Sequence, residues 1–211
     1  MVYACSMAQP LISPGPPRHR DEHDQSVTLR GATWADYQRH LELRGDKAVP
    51  RITYLEGMLE LMSPSRLHES EKSMIGCLVE AWCFEQGVDI SPYGSWTLKS
   101  QAADAGAEPD ECYVVGDDPD PALPDLAIEV VRTSGGLSKL EVYCKLQVGE
   151  VWIYRQGAFT LHALRGERYV SITASEILPG IDLGLLSRYI DISPMTRAVR
   201  EYRQALRSRK L

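Results

Sequence analysis

The sequence contains no apolar run near the roughly 18 residues that a membrane-spanning helix needs. Its first residues also lack the apolar segment of a secretory signal peptide. The cysteines form no C-x-x-C pair and lie far apart, at Cys5, Cys77, Cys83, Cys112 and Cys144. An odd, scattered set of thiols, most of them inside apolar runs, is typical of buried, reduced cysteines. These absences predict a cytoplasmic protein with no membrane partner.

Several catalytic and cofactor motifs are missing as well. The chain has no G-x-S-x-G nucleophile turn, no G-x-G-x-x-G dinucleotide fingerprint, no P-loop and no zinc-ligand spacing. No cysteine and histidine stand at a spacing that indicates nucleophilic catalysis. The remaining candidates for chemistry are acidic side chains with a lysine nearby.

The formal net charge is −6 at pH 7, and the sequence pI is about 5.4. Because affinity for phosphates comes from clustered lysine and arginine, this acidic excess argues against nucleic-acid binding over the whole surface. A local basic patch remains open in the predicted C-terminal helix 194–210. Cations recur there every three or four residues, at Arg197, Arg200, Arg203, Arg207 and Lys210. This stripe is either a solvated helix face or a surface that contacts phosphates.

At 211 residues, 44% apolar and 25% charged, the chain is expected to form one domain with a sizeable core. Residues 1–26 are rich in proline and lack apolar periodicity, which predicts a disordered leader before a single domain over 27–211. A helix, a hairpin, a second helix, three strands, a helix, a strand, a hairpin and a helix then follow. The first of the three strands is expected over 89–98, with a polar loop over 99–106. This order predicts an α/β fold with one mixed sheet flanked by helices.

Two strands entered by Pro-Asp carry the candidate site. The first, predicted over 108–115, contains Asp110, and the second, over 125–131, contains Asp125 and Glu129. Asp125 and Glu129 share a face but lie about 13 Å apart at ~3.3 Å per residue, too far to share one ion easily. Asp125 therefore suits a capping or turn role. Asp110 is the better partner of Glu129, since adjacent strands lie about 4.8 Å apart, and such paired carboxylates suit Mg²⁺ or Mn²⁺.

Glu129 is the sharper candidate because it lies in an apolar run, where an ionised carboxylate is costly unless it is paired or bound to metal. An ion pair with Lys139 or with an arginine, serving only the fold, is the alternative. Lys139, early in the next predicted helix, could stabilise charge on a phosphate or activate water, or could be a plain surface lysine. Glu60, on the predicted hairpin 51–62, could add a ligand or orient water, or could face solvent. His68 could contact phosphate or act as a base, and its structural alternative is a helix cap.

Several motifs occur in the order that one known family shows. They are Glu56-Gly-Met-Leu-Glu-Leu-Met-Ser-Pro64, His68-Glu69, Glu108-Pro-Asp-Glu-Cys-Tyr113, Pro124-Asp-Leu-Ala-Ile-Glu-Val130, Lys139-Leu-x-x-Tyr143 and Gly149-Glu-Val-Trp-Ile-Tyr154. Over about residues 33–173 they resemble the bacterial restriction endonuclease-like family of the PD-(D/E)XK nuclease superfamily. The resemblance implies a mixed β-sheet flanked by helices, with an added N-terminal hairpin and an added C-terminal hairpin and helix.

The resemblance also implies a Mg²⁺-dependent or Mn²⁺-dependent endonuclease that hydrolyses DNA phosphodiester bonds, with Asp110 and Glu129 as metal ligands. The position two after Glu129 is Val131 rather than lysine, so the catalytic lysine is expected at Lys139, with Glu60 as an additional catalytic acid. DNA and a second copy of the chain, in a homodimer, are the expected partners. One rival hypothesis is a catalytically silent member of the fold that acts as a nucleic-acid-binding or oligomeric interaction module. Another is an ion-pair network with no chemistry.

Overall fold

The computed structural model describes residues 23–132 and 136–209. Within these residues the chain forms eleven strands and five helices. The strands are β1 (Gln25–Arg30), β2 (Arg51–Leu55), β3 (Met58–Ser63), β4 (Ile90–Pro92), β5 (Leu98–Ser100), β6 (Ala105–Ala107), β7 (Glu111–Val115), β8 (Leu126–Val130), β9 (Glu150–Arg155), β10 (Ala158–Arg165) and β11 (Arg168–Ile172). The helices are α1 (Trp34–Arg44), α2 (Arg66–Gln86), α3 (Lys139–Leu146), α4 (Leu183–Ile190) and α5 (Met195–Ser208).

The strands form two sheets rather than the single mixed sheet expected from the sequence. The first sheet has five strands in the order β1-β3-β2-β6-β5, and the second has six in the order β11-β10-β9-β8-β7-β4. The described pairings are antiparallel except that of β8 with β9, which run parallel and are connected through α3. The α/β class with a mixed sheet is therefore confirmed, and the number of sheets is corrected.

Local capping and turn chemistry sets the ends of several elements. Thr33 caps α1, since its hydroxyl accepts from the Asp36 N–H while the Asp36 carboxylate accepts from the Thr33 N–H. Glu56 and Gly57 have φ of 43° and 86° and form the turn of the β2–β3 hairpin, which lies within the predicted hairpin 51–62. Gly87, with φ 70°, ends α2 in the left-handed conformation.

The segment 89–106 differs from the prediction of one strand followed by a loop. The chain forms the short β4 in the second sheet and then crosses to the first sheet, where it forms β5 and β6. Pro92 ends β4, and Gly94 adopts a positive φ of 55°, which turns the chain away. The apolar residues before and after this turn therefore belong to different sheets.

The predicted leader over 1–26 also needs adjustment at its end. Residues 1–22 lie outside the described residues, but Gln25 and Ser26 belong to β1, which pairs with β3 along its whole length. The strand is formed through backbone hydrogen bonds to β3, and the residues of β1 themselves show no pattern that predicts a strand. The first sheet therefore begins inside the stretch predicted as leader.

β8 runs through the centre of the second sheet, and all five of its residues are buried. Ile128 and Val130 belong to the apolar cluster that α2, α4 and α5 form with the second sheet, whereas Ala127 belongs to the cluster that contains the apolar residues of α3. Because side chains alternate along a strand, Glu129 shares the side of Ala127. The centre of the sheet thus presents one carboxylate to α3.

Burial raises the pKa of the Cys83 thiol to about 11 and that of Cys112 to about 12, so neither is poised to react. These two cysteines, with Cys77 and Cys144, are free thiols, and Cys5 lies outside the described residues. In the part of the chain that the structure describes, no helix is long and apolar enough to cross a membrane.

Candidate active site

A cleft of about 430 Å³ is lined by residues from both sheets and by the start of α3. β1 and β3 of the first sheet contribute one wall, and β8, β9 and β10 of the second sheet contribute the other. The charged and histidine side chains of its lining are Asp24, Glu60, His68, Glu129, Arg132, Lys139 and Arg155. Three of the four predicted catalytic residues therefore meet in one cleft.

Glu129 is held by two donors from α3. Lys139 and Tyr143 are four residues apart, so their side chains project from one face of the helix towards β8. The Tyr143 hydroxyl donates to Glu129 Oε1, and Lys139 Nζ lies 3.4 Å from the same oxygen. Burial, reinforced by the Glu129 carboxylate, raises the pKa of Tyr143 well above its usual value, so the phenol remains a donor. Lys139 Nζ also donates to Thr53 Oγ1 at 3.2 Å.

Glu60 reaches the same cleft from β3, where it lies opposite Thr53. The Leu137 N–H donates to Glu60 Oε2 at 3.1 Å. Gly136 lies so close to this oxygen that a Cβ there would collide with it. The loop that enters α3 thus holds the Glu60 carboxylate, which is 5% exposed rather than facing solvent.

Asp110 lies just before β7 and is fully buried. β7 and β8 pair antiparallel with Glu111 opposite Ile128. Continued by one residue, this register sets Asp110 opposite Glu129, as the sequence predicts. Asp110 is nevertheless absent from the lining of the cleft that Glu129 shares.

Both carboxylate oxygens of Asp110 have partners within the fold. Oδ1 contacts the guanidinium of Arg51 and lies 2.8 Å from His68 Nε2. Oδ2 accepts from the Val130 N–H at 2.6 Å. In this arrangement Asp110 fixes the His68 ring, and the contacts described for both of its oxygens are to groups of the protein itself. Its predicted role as a ligand stays a prediction.

His68 links Asp110 to Asp24, a residue that the sequence analysis placed in the leader. His68 Nδ1 lies 2.9 Å from Asp24 Oδ2, and the Ser65 N–H donates to Asp24 Oδ1 at 2.8 Å. Both ring nitrogens of His68 are therefore engaged by carboxylates, Nδ1 by Asp24 and Nε2 by Asp110. Burial opposes the charge of Asp24, but the His68 and Ser65 hydrogen bonds together outweigh it and lower the pKa of Asp24.

The imidazole ring of His68 does not cap the helix, which was the structural alternative for this residue. Ser65 caps α2 by accepting from the His68 backbone N–H, and the imidazole turns inward with 1% of its residue surface exposed. Asp125 instead has the structural contact expected for it, since its Oδ2 accepts from the Val115 N–H at 2.8 Å. Of the residues that the sequence analysis missed, only Tyr143 had a visible signal, its spacing of four from Lys139.

The donor set of the cleft suits a hard divalent cation. The hydrogen bonds described above reach Glu129 through Oε1 and Glu60 through Oε2, and among the described residues no hydrogen bond reaches Glu129 Oε2 or Glu60 Oε1. Mg²⁺ needs only one or two protein carboxylates, because it keeps several of its waters. Among residues 23–132 and 136–209, no cluster of three or more histidine, cysteine, aspartate or glutamate side chains is arranged to hold a metal. Glu60 and Glu129 both line the cleft, and their carboxylates are the oxygen ligands from which a two-carboxylate Mg²⁺ site would be built.

Comparison with known proteins gives one family match. The model of the family Uma2, described as "Putative restriction endonuclease", matches residues 34–203. No curated protein matches the sequence. A solved structure that is similar is the crystal structure of "a putative nuclease belonging to DUF820" from Anabaena variabilis, 14% identical, covering 77% of this chain and 96% of that chain with a TM-score of 0.40. The family match spans Glu60, His68, Asp110, Glu129 and Lys139 but begins after Asp24.

Proposed function

Since the chain belongs to the Uma2 family of putative restriction endonucleases, we propose that it is a Mg²⁺-dependent endonuclease that hydrolyses DNA phosphodiester bonds. The observation that carries this proposal is the Glu129 carboxylate, which is 3% exposed yet lines an open cleft beside Lys139 and Glu60. A charge in the centre of an apolar sheet is costly to maintain. Its position facing a cleft, rather than sealed inside the core, is what a metal-binding acid requires.

Glu129 would hold the ion together with Glu60, since both carboxylates line the cleft and carboxylate oxygens suit Mg²⁺ or Mn²⁺. When bound, the ion supplies positive charge that polarises a phosphoryl oxygen and lowers the pKa of a water. Asp110, predicted as a ligand from the sequence, would in this arrangement position His68 instead. The choice between Glu60 and Asp110 as second ligand is open to direct measurement.

Two side chains of α3 would act on the site: Tyr143 would orient the Glu129 carboxylate, and Lys139 would act on the attacking water or the scissile phosphate. Tyr143 donates to Glu129 Oε1 and so fixes the orientation of the carboxylate. Lys139 lies between Glu129 and Thr53, where its ammonium could orient an attacking water or stabilise charge that develops on a phosphate. A preorganised cation of this kind costs no rearrangement at the moment of reaction.

Two arginines support the assignment of DNA as substrate. Arg132, which also pairs with Glu71, and Arg155 line the same cleft as Lys139, so three cations lie beside the acids of the cleft in a protein whose formal net charge is −6. Side chains of this type bind backbone phosphates and set the position of a nucleic acid without reading its sequence. Free thiols in the described residues are in keeping with action in the reducing cytoplasm.

Nicking of supercoiled plasmid DNA in Mg²⁺ or Mn²⁺ tests the proposal. We expect the wild-type protein to convert supercoiled DNA to open-circular DNA, and Glu129→Gln and Lys139→Ala each to reduce the rate by about 100-fold or more, the usual contribution of one preorganised electrostatic group. Lys145→Ala is the matched control, because Lys145 lies on the same helix, its side chain is 48% exposed, and its ion pair among the described residues is with the exposed Glu56. Its nicking rate should equal that of the wild type.

Two results would contradict the enzymatic proposal. Cleavage that persists unchanged in Glu129→Gln would show that the activity does not come from this cleft. Wild-type protein that binds DNA but never nicks it, with Mg²⁺ or Mn²⁺ present, would support the catalytically silent alternative. Circular dichroism of each variant separates loss of activity from loss of fold.

A further inference from the structure

β1 is an edge strand of the first sheet. It pairs with β3 on one side over six residues, and it stands last in the strand order, so its other side has no strand partner among the described residues. All six of its residues are exposed, including Val27 at 58% and Leu29 at 41%. A long exposed edge with apolar side chains is a template for pairing with another strand.

The other edges of the two sheets lack one or more of these features. β4 and β5 have three residues each, too short for an extended ladder. β11 has five residues, and its outward-facing side chains include Arg168 and one large apolar residue, Val170 at 41% exposure. β1 is therefore the longest free edge and the one with two exposed apolar side chains at alternate positions.

We propose that β1 pairs antiparallel with β1 of a second copy of this chain, so that the first sheet runs continuously through a homodimer. Pairing centred on Thr28 is self-complementary, because Val27 then lies opposite Leu29 of the partner subunit on one face. On the other face Thr28 meets its own counterpart, and Ser26 meets Arg30 of the partner subunit, so no like charges oppose each other. Apolar pairs and threonine pairs are among the favourable cross-strand contacts.

The same arrangement sets the two clefts side by side. An antiparallel pair of identical strands is related by a two-fold axis perpendicular to the sheet, so both subunits present the same sheet face in the same direction. Glu60 lies directly opposite Thr28, and Ser26, on the face of Thr28, lines the cleft. The two Glu60 backbone positions would be three strand spacings apart, about 14 Å at ~4.8 Å per spacing.

Two clefts on one face, at this separation, would address the two strands of one DNA duplex. This consequence deepens the proposed nuclease function and rests on it, whereas the pairing of the strands does not. In plasmid assays it predicts that the dimer produces linear DNA as well as open circles. A variant that cannot pair through β1 should produce open circles first.

Sedimentation velocity tests the pairing without metal or DNA. We expect the wild-type protein, whose monomer mass is 23.6 kDa, to sediment as a dimer at micromolar concentration. The double variant Val27→Lys, Leu29→Lys should sediment as a monomer, because two buried ammonium groups per strand would oppose pairing. Val170→Lys is the matched control on the exposed edge β11 and should remain dimeric. A monomeric wild type, or a dimer that persists in the double variant, would overturn the proposal.

A cysteine at the centre of the pairing gives a second readout that does not depend on loss of function. Directly opposed residues have Cα atoms about 4.5–5.5 Å apart, which is within disulfide range. Thr28→Cys should therefore yield a covalent dimer on mild oxidation, and Val170→Cys should not. If peptide mapping instead finds a bridge from the new thiol to Cys5 of the same chain, the edge is occupied by the protein's own N-terminal segment and the proposal is wrong. A monomeric result would leave the nuclease proposal untouched, since nicking is measured separately.

Discussion

Replacing Lys139 by methionine tests whether Glu129 is held as a charge inside the fold. Lys139 Nζ lies 3.4 Å from Glu129 Oε1, and the two side chains are 14% and 3% exposed. Without the ammonium, the described donor to the Glu129 carboxylate is the Tyr143 hydroxyl. Most of the cost of breaking a buried ion pair is that of the charge left without its partner.

The magnitude follows from the burial of the two groups. Breaking a buried pair costs about 3–5 kcal/mol, and the partial exposure of Lys139 places this pair near 3 kcal/mol. For a domain of this size, 1 kcal/mol corresponds to about 2–4 °C in Tm, so Lys139→Met should melt about 6–12 °C lower. Adding Glu129→Gln removes the orphaned charge, while the new amide oxygen can still accept from Tyr143. The double variant should therefore be about 2 kcal/mol more stable than the sum of the single variants predicts.

Urea unfolding of the wild type, both single variants and the double variant gives the coupling free energy directly. Lys145→Met serves as the control, because its ion pair with Glu56 is about half exposed, and its effect should stay below about 1 kcal/mol. A Lys139→Met variant as stable as this control, with no coupling free energy between Lys139 and Glu129, would contradict the prediction. Glu129 would then not depend on Lys139 for its charge.

Three further changes test separate parts of the structure. Gly136→Ala places a Cβ against the Glu60 carboxylate and should slow plasmid nicking at least about tenfold, equivalent to ~1.4 kcal/mol. A variant that nicks at the wild-type rate would show that the position of Glu60 does not matter for cleavage. Tyr143→Phe removes a donor to Glu129 and should lower the free energy of unfolding in urea by about 1–3 kcal/mol; an unchanged value would show that the hydrogen bond adds nothing. Hydrogen bonds from two arginines of α5 lower the pKa of Glu85 from 4.5 to about 2. Because the folded pKa is depressed, this stabilisation is complete above pH 4.5 and is lost as pH falls towards 2, so the unfolding curves of wild type and Glu85→Gln should converge over that window.

Features that depend on neighbouring residues could be predicted from the sequence. The run 126–130 is apolar except for Glu129, and this pattern was sufficient to predict a strand with one costly acid in an apolar run. Thr33, the Glu56-Gly57 pair and Gly87 mark their cap or turn through side-chain or backbone preferences that act within a few residues. Caps, turns and the alternation of side chains along a strand can therefore be predicted without knowing which distant segments they contact.

Contacts between distant segments could not be predicted in the same way. Asp24 lies beside a proline-rich stretch and gives no local sign that it meets His68, and Arg51 gives none that it meets Asp110. The split into two sheets has the same origin, because the strand that each short segment joins depends on which edge the fold leaves open. At Tyr93, for example, the backbone N–H donates to the Cys112 carbonyl just before the chain leaves the second sheet. The single sheet of the prediction was wrong for this reason.

A crystal structure of the protein grown or soaked with Mn²⁺ would test the central proposal most directly. We expect an anomalous difference peak in contact with the Glu129 carboxylate, at about 2 Å from its oxygen, with Glu60 as the second protein ligand. A peak shared by Glu129 and Asp110, with the Arg51 contact released, would keep Glu129 as a ligand and correct the identity of its partner. The absence of any peak at Glu129, with its contacts to Lys139 and Tyr143 unchanged, would contradict the assignment of this cleft as a metal-dependent nuclease centre.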